Sequence, residues 1–433
     1  MKIALIPMTS SGRINICLTL AHKLAKFNHE CVLILPSNWA QMVKSAGFNA
    51  ETFDQEEENQ GDVRKSSSSF VTQQAAIFKL PAVQQFPLVG AFGFKSCADT
   101  VEKNNEQYAE AIKRVQPDLI IFDYWTTVPA IVHSGVPYVL LFSCSPLMVY
   151  WQYNAPPFSS GLAKGDDVKL INETREIFSK AIEPVRNKFD EYLKSKGIVI
   201  ENRLDFSLVG QSPYLNIYPY PSDLDYQEFG PVPDKWFRLD HMVREVDDSP
   251  LGIPDESWLN PSSNGDQKLI LFSLGSMVTA YVDLMKRLIS ILASSPHRFI
   301  VSKGVNHESI DLPSNMVGGK YLNQMKIIPK VDLVIHHGGN STFVETLYFG
   351  KPCIILPVCG DQFDNGRRVV DMEIGASFNP FEVTEEELLK AIDNIVNCPK
   401  INEKVQKIGH NLRNTPSFVQ LNEKLEQIVA NQK

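Results

Sequence analysis

The sequence has no long hydrophobic run, since about 18 consecutive apolar residues would be needed to span a bilayer. Its amino terminus lacks both the apolar core and the small-residue cleavage site of a signal peptide. It also lacks a basic stripe, and its 42 Lys and Arg against 50 Asp and Glu give a formal net charge of −8. We therefore expect a cytoplasmic protein with no membrane span and no nucleic-acid partner.

Two further absences narrow the chemistry. The seven cysteines are an odd number without metal-type spacing, so we expect reduced thiols and no bound metal. No Gly-x-Gly-x-x-Gly fingerprint follows the first strand of either half, which argues against a dehydrogenase.

What the sequence does contain is an alternation of buried strands and amphipathic helices. A length of 433 residues is enough for two domains of roughly 200 residues each. In the first half we predict strands at residues 3–6, 31–35, 119–122, 138–142 and 206–209, and helices at 14–27 and 172–196. In the second half we predict strands at 269–274, 298–302, 331–335 and 352–357, and helices at 281–293, 341–349, 384–396 and 416–430. This order predicts an α/β protein built from doubly wound parallel sheets.

Three stretches interrupt that pattern. Residues 51–69 are polar and predict a surface loop. Residues 78–94 are apolar without clear periodicity, so they either pack in a core or line a cleft. Residues 218–264 are rich in proline and acidic residues, which marks a linker without a regular core.

The most informative stretch is residues 331–362. A buried strand leads into the turn His336-His337-Gly338-Gly339, where glycine lets the backbone approach a ligand. The helix that follows would direct the N–H groups of Asn340, Ser341 and Thr342 at a phosphate. Three side chains suit a nucleotide sugar: His337 as a donor to a phosphate oxygen, Glu345 for ribose hydroxyls, and the pair Asp361-Gln362 for sugar hydroxyls. The alternatives are a capping box from Thr342 to Glu345, a structural histidine and a polar loop.

This stretch resembles the signature motif of the UDP-glycosyltransferases, which transfer a sugar from a UDP-sugar to small lipophilic acceptors. The matching segments are Tyr321 to Gln324, His337 to Thr342, Glu345, Gly350 to Pro352, and Asp361-Gln362. The resemblance implies that Tyr321 stacks on uracil and that Leu322 and Gln324 help to fix the nucleotide. It adds Gly12, Gly275, Ser276 and Gly339 to the donor site. One position departs from the pattern, because Asn323 stands where the family usually has proline.

The resemblance also implies an architecture. We expect the GT-B fold, in which two Rossmann-like domains with doubly wound parallel sheets face each other across a cleft. The domains are an acceptor-binding domain at residues 1–217, a linker at 218–264 and a UDP-sugar-binding domain at 265–415. The terminal helix, within residues 416–433, would cross back to the first domain.

The acceptor side lacks the residue that the family uses as a base. A histidine usually follows glycine in the first loop, but here the pair is Gly12-Arg13. Guanidinium stays protonated, so Arg13 cannot be a base, although it can hold a carboxylate or a phosphate. Asp123 ends a predicted strand and matches the family's partner aspartate, so we predict that it acts as the base, directly or through a water. The alternative is a helix-capping or loop aspartate.

Other residues near this region have structural alternatives. His22 and His29 are more simply structural or exposed than catalytic. Trp125 and Phe142 are predicted acceptor-binding residues, and the aromatic cluster at residues 150–153 belongs either to a core or to a pocket.

The function expected from the resemblance is inverting transfer of a sugar, most simply glucose, to a hydroxyl of a phenol, a flavonoid or a similar detoxification substrate. No cofactor or metal is expected beyond the UDP-sugar, and the protein is expected to be a monomer. The alternatives are a sterol or lipid glycosyltransferase and a non-catalytic nucleotide-sugar binding protein.

Overall fold

The structure is a computed structural model that describes residues 1–54, 74–204, 207–260 and 266–432. Within these ranges the chain forms two parallel β-sheets. The strands of the first sheet are β1 (Lys2–Pro7), β2 (Glu30–Pro36), β3 (Asn49–Phe53), β4 (Leu119–Asp123), β5 (Tyr138–Leu141), β6 (Leu215–Pro219) and β7 (Trp236–Leu239). The strands of the second are β8 (Leu269–Ser273), β9 (Arg298–Ser302), β10 (Met316–Gly319), β11 (Leu333–His336), β12 (Cys353–Ile355) and β13 (Gly375–Ser377).

The longer helices connect successive strands or follow them. They are α1 (Ser11–Ala25), α2 (Ala40–Ser45), α3 (Ala91–Val115), α4 (Val168–Ser195), α5 (Val282–Ala293), α6 (Asn340–Tyr348), α7 (Gln362–Asp371), α8 (Glu385–Val396), α9 (Pro399–Arg413) and α10 (Ser417–Ala430). No helix among the described residues is long and apolar enough to cross a membrane.

Both sheets begin in the middle and grow outward in two directions. The first has the order β3-β2-β1-β4-β5-β6-β7 and the second β10-β9-β8-β11-β12-β13. The strand order therefore reverses between β1 and β4 and between β8 and β11, and ligands of such sheets bind outside the carboxyl ends of the strands at these points. Asp123 ends β4, whereas Ser273 and His336 end β8 and β11. The predicted site residues thus lie beside both reversal points.

The two halves of the chain pack closely against each other. Phe78 is buried in the apolar cluster of the second sheet, together with Phe272. In the opposite direction, Leu421 and Leu425 of α10 are buried in the cluster beside β1. The last helix of the chain therefore packs on the first sheet.

Helix α7 adds polar contacts across the same interface. The Asp364 carboxylate accepts hydrogen bonds from the backbone N–H groups of Ser159 at 2.8 Å and Gly161 at 3.1 Å. One turn further, Arg368 forms an ion pair with Glu228. Because Asp364, Arg368 and Ser159 are buried, these contacts join the domains more firmly than fully exposed ion pairs would.

The linker prediction is wrong over its first part. Strand β7 lies inside residues 218–264, and β6 ends at Pro219, yet both belong to the first sheet. The prolines border these strands instead of breaking them, since the Trp236 N–H bonds to the Pro233 carbonyl just before β7 begins. The predicted strand at residues 206–209 is also wrong, because Leu208 forms only an isolated bridge with Thr126. Residue 206 itself lies outside the described residues.

Several other elements differ from the predictions. Residues 51–53 of the predicted loop pair with β2 as part of β3, and the rest of that loop, from residue 55 onward, lies outside the described residues. The stretch at residues 78–94 contains short helical turns and the start of α3. Strands β10 and β13, which are short and lie at the two edges of the second sheet, were not predicted, nor were helices α2, α3, α7 and α9.

Candidate active site

The ring of His337 is held between two glycines at the start of the candidate donor site. A Cβ placed on Gly275 would lie 2.7 Å from His337 Nε2, and one placed on Gly339 would lie 2.5 Å from the same atom. Gly275 also has a φ of +73°, in the left-handed region that favours glycine. Both glycines are therefore needed for the imidazole to occupy its position against the backbone.

Burial lowers the pKa of His337 to about 4, so the imidazole is neutral near pH 7. Its Nδ1 atom has no hydrogen-bond partner among the described residues. A neutral imidazole carries one N–H, which can donate to a phosphate oxygen. The chemistry of this ring thus fits a site for a diphosphate.

Helix α6 begins immediately after this histidine, with Gly339 as its N-cap and no side-chain cap. The first N–H groups of a helix have no acceptor within the helix, so those of Asn340, Ser341 and Thr342 are suited to bind an anion. The capping-box alternative is wrong, because Thr342 lies inside the helix and the Glu345 carboxylate bonds elsewhere.

The start of α6 also contacts the first domain. The Asn340 side chain donates to the carbonyl groups of Ser143 at 3.1 Å and Pro219 at 3.3 Å. Ser143 and Pro219 lie at the carboxyl ends of β5 and β6. The anion-binding end of α6 and the carboxyl end of the first sheet are therefore adjacent, as a transfer reaction between two substrates requires.

The residues predicted to bind the nucleobase lie in the segment after β10. Tyr321 is 38% exposed, and the Lys320 ammonium lies 5.5 Å from the centre of its ring. The Leu322 side chain is half-buried beside it. The Gln324 side chain, in contrast, donates to Ser273 Oγ at 2.9 Å at the end of β8. Gln324 therefore braces the segment in this conformation.

Glu345, predicted to bind ribose, is buried and already paired. Its two oxygens accept from Arg244 Nε at 2.8 Å and Arg244 Nη2 at 3.3 Å. Sequence reasoning missed Arg244, because it lies in the predicted linker about a hundred residues earlier in the chain.

The two residues of the predicted sugar-binding pair, Asp361 and Gln362, lie in different environments. Gln362 folds back on its own loop, where its Oε1 accepts from the N–H groups of Val358 at 2.8 Å and Cys359 at 3.1 Å. Asp361 is partly exposed and lies close enough to Arg13 for the guanidinium to lower its pKa. Burial outweighs this effect and raises the pKa of Asp361 to about 6. Of the two, Asp361 is positioned to meet a ligand.

On the acceptor side, Arg13 fills the place of the missing histidine. It forms a buried ion pair with Asp123, donates to Cys144 Sγ at 3.0 Å and lies 5.0 Å from the centre of the Trp125 ring. Burial alone would lower the pKa of Arg13, but Asp123 and Cys144 raise it, so the guanidinium remains charged.

The prediction that Asp123 contacts the acceptor directly is not supported by this conformation. One carboxyl oxygen binds Arg13, and the other accepts from Ser143 Oγ at 2.7 Å. Burial raises the pKa of Asp123, and Arg13 and Ser143 oppose that change. Because the carboxyl group is completely buried, an acceptor can reach it only if Arg13 or Ser143 moves.

The remaining predicted residues fall into exposed and buried groups. Trp125 is half-buried, with its ring 5.2 Å from that of Phe94, and is available to line an acceptor pocket. Phe142 is a core residue packed against Phe158, so its predicted contact with an acceptor is wrong for this conformation. Gly12 and Ser276 are exposed at the first turns of α1 and of the short helix Gly275–Val278.

The histidines and aromatic residues that the sequence left open are structural. His22 is exposed and packs against Phe48, and the His29 ring lies 2.6 Å from Asn422 Oδ1 in α10. Tyr150 donates to Asp225 at 2.8 Å within the core. Neither histidine contacts the Arg13–Asp123 pair. No group of three or more His, Cys, Asp or Glu side chains within the described ranges could hold a metal.

The two parallel-sheet domains meet at the N-terminus of α6 and at His337, whose ring is held between two glycines. This arrangement defines a glycosyltransferase of the GT-B fold. The solved glycotransferase of kitacinnamycin matches 99% of both chains with a TM-score of 0.71 at 16% identity. Glycosyltransferase VinC in complex with DTDP matches 100% of both chains with a TM-score of 0.68 at 15% identity.

Sequence relatives and a family model identify the group more closely. The model described as UDP-glucoronosyl and UDP-glucosyl transferase matches residues 243–416. Demethyllactenocin mycarosyltransferase of Streptomyces fradiae is 22% identical over 95% of this chain and 83% of its own length. Human UDP-glucuronosyltransferase 1A10 is 22% identical over 94% of this chain and 78% of its own length. Residues 243–416 therefore carry the UDP-glycosyltransferase family match, and relatives along most of the chain are glycosyltransferases. The predicted family, fold and enzyme class are confirmed.

Proposed function

We propose that this enzyme transfers glucose from UDP-glucose to the hydroxyl group of a small lipophilic phenol. The donor part of this proposal rests on the position of His337. Its ring is held between Gly275 and Gly339, next to the uncapped start of α6. The neutral imidazole and the free N–H groups would stabilise the charge that develops on the leaving UDP. Asp361, partly exposed at the same place, would accept hydrogen bonds from the sugar hydroxyls.

The acceptor half follows from Arg13. In the transfer, the acceptor oxygen forms a bond to the anomeric carbon, the bond from that carbon to the diphosphate breaks, and the acceptor proton must leave. Arg13 cannot take the proton, but its positive charge favours an acceptor that has already lost it. Asp123 then acts as a positioning residue, because it holds the guanidinium beside Trp125. This arrangement suits acidic phenols better than aliphatic alcohols.

We would test the reaction by measuring UDP release from UDP-glucose with a panel of phenols of graded acidity and with an aliphatic alcohol. The proposal expects release with acidic phenols and a pH dependence of kcat/KM whose midpoint follows the pKa of each phenol. A midpoint that stays constant across the panel would instead indicate a base on the enzyme.

The matched variant for this test is Arg13→His, which restores the residue type that the family has at this position. With His beside Asp123, the midpoint of the pH dependence of kcat/KM should no longer follow the pKa of the acceptor. It should instead be the same for every phenol, because it reflects a group on the enzyme. If no phenol supports UDP release in either protein, the acceptor class is wrong.

A donor carried on dTDP is the second candidate. One whole-length relative is a mycarosyltransferase, and the VinC structure contains DTDP. Replacing UDP-glucose by dTDP-glucose in the same assay separates the two donors. Higher turnover with UDP-glucuronic acid would exclude glucose as the preferred sugar.

A further inference from the structure

The Arg244–Glu345 pair lies at the position that the family motif assigns to the ribose of the donor. Arg244 approaches the carboxylate with two nitrogens, at 2.8 and 3.3 Å, so both carboxylate oxygens are occupied. The Glu345 side chain is only 2% exposed, whereas the Arg244 side chain is 43% exposed. The guanidinium therefore lies between the carboxylate and the solvent.

The backbone around Arg244 is anchored on both sides. Just before it, Met242 and Val243 are buried in clusters that include residues of the first sheet. After it, Leu251 is buried in a cluster beneath the second sheet. Arg244 thus stands on a short segment that both domains hold in place.

The residue that departs from the family motif fastens the same segment. Asn323 donates from Nδ2 to Asp247 Oδ1 and to Ser249 Oγ, both at 2.9 Å, and its N–H bonds to the Leu251 carbonyl at 3.0 Å. Proline at this position could make none of these bonds, because it has neither an amide side chain nor an N–H. Asn323 therefore ties the segment that carries Arg244 to the nucleotide-binding side of the second domain.

We propose that Arg244 is a specificity-determining residue that covers the ribose carboxylate, so that the 2′-hydroxyl of the donor contributes little to its affinity. The inference rests on the proposed donor site. The Glu345 side chain is only 2% exposed, so a ribose hydroxyl can reach it only if Arg244, held by two charge-assisted hydrogen bonds, moves aside. The enzyme should consequently accept ribonucleoside and 2′-deoxyribonucleoside diphosphates with similar affinity.

The test compares the binding of UDP and dUDP, which differ only in the 2′-hydroxyl, by titration calorimetry. For the wild-type chain we expect Kd values within about threefold of each other, since a hydroxyl left in water gains no hydrogen bond from the protein. Arg244→Ala uncovers Glu345, so UDP should then bind about tenfold more tightly than dUDP. Removing the carboxylate as well, with Arg244→Ala and Glu345→Ala together, should return the ratio to the wild-type value.

Two further variants serve as controls for the role of Arg244. Arg244→Lys keeps the charge but not the two-pronged geometry, so it should give an intermediate ratio if Arg244→Ala proves too unstable to purify. Lys400→Ala breaks a different Lys–Glu pair, at 2.8 Å on the surface, and should leave the ratio unchanged.

The outcomes separate this inference from the proposed function. A wild-type preference for UDP of about tenfold or more that falls in Arg244→Ala would mean that Arg244 positions Glu345 for ribose, which overturns the inference. A ratio that is the same in the wild type and in Arg244→Ala also overturns it. If the folded wild-type chain binds neither nucleotide, the proposed donor site itself is wrong.

Discussion

The role of the His337 position can be tested directly, because one methyl group added at Gly275 should displace the imidazole ring. In Gly275→Ala the new Cβ would lie 2.4 Å from His337 Cε1, about 1 Å closer than the 3.4 Å at which ordinary contact begins. The imidazole has to move by about that distance, and a misplacement of roughly 1 Å in a catalytic group can cost about a hundredfold in rate. Loss of one donor to a developing oxyanion costs a similar amount, about 3 kcal/mol.

The control has to separate this displacement from backbone strain. Alanine in the left-handed region costs about 1–2 kcal/mol of stability wherever it occurs. Gly135 has the same φ of +73°, but a Cβ there would meet no atom within 4 Å. Gly135→Ala should therefore lower the melting temperature about as much as Gly275→Ala while leaving kcat unchanged.

A double variant tests whether Gly275→Ala acts through His337. If it does, the loss of kcat should match that of His337→Ala, and Gly275→Ala with His337→Ala should be no slower than His337→Ala alone. Initial rates of UDP release and titration of UDP binding provide the two readouts. Full activity in Gly275→Ala, or an undiminished further loss in the double variant, would refute the proposed role of the glycine.

Four further predictions concern charge and the domain interface. Because burial lowers the pKa of His337 from 6.5 to about 4, the unfolded chain binds a proton between these values that the folded chain does not, so stability should fall as the pH drops through this window. Urea unfolding at several pH values should show this slope, and His337→Gln should reduce it. Asp123→Asn should lower kcat steeply with little change in the Kd of UDP; full activity on every acceptor would exclude a role for this carboxylate. Asp364→Ala leaves two backbone N–H groups of the first domain unpaired, at about 1–3 kcal/mol each. It should lower the melting temperature and enlarge the radius of gyration, whereas Asp371→Ala on the same helix should change neither. Scattering curves of the wild type with and without UDP should differ if the domains close further over the donor.

Features that depend on local sequence could be predicted. The strand before His337, the helix that starts at Asn340 and the central strands of both sheets all follow from apolar runs bordered by glycine or proline. The edge strands could not, because β13 consists of Gly375, Ala376 and Ser377 and has no apolar pattern of its own. It is a strand because its backbone pairs with β12, a tertiary contact that sequence periodicity does not encode.

The contacts that modify the donor site could not be predicted either. Glu345 is recognisable in the sequence as part of the motif, but its partner Arg244 lies 101 residues away along the chain. Composition assigned that region to a linker, and linkers are rarely examined for site residues. Asn323 was visible only as a departure from the motif, and its bonds to Asp247 and Ser249 explain why this chain can use asparagine there.

On the acceptor side, the sequence lacks the histidine that the family uses, and the structure shows Arg13 in its place. Without Arg13, the carboxylate of Asp123 would be buried with only Ser143 as a partner, and an uncompensated buried charge costs about 3–5 kcal/mol. The two residues therefore depend on each other, and a permanent cation stands at the position where the family has a histidine. A permanently charged guanidinium cannot relay a proton, so the acidity that the family supplies through its base has to come from the acceptor. Among the proposed phenol acceptors, acidity more than shape should therefore decide which ones are used.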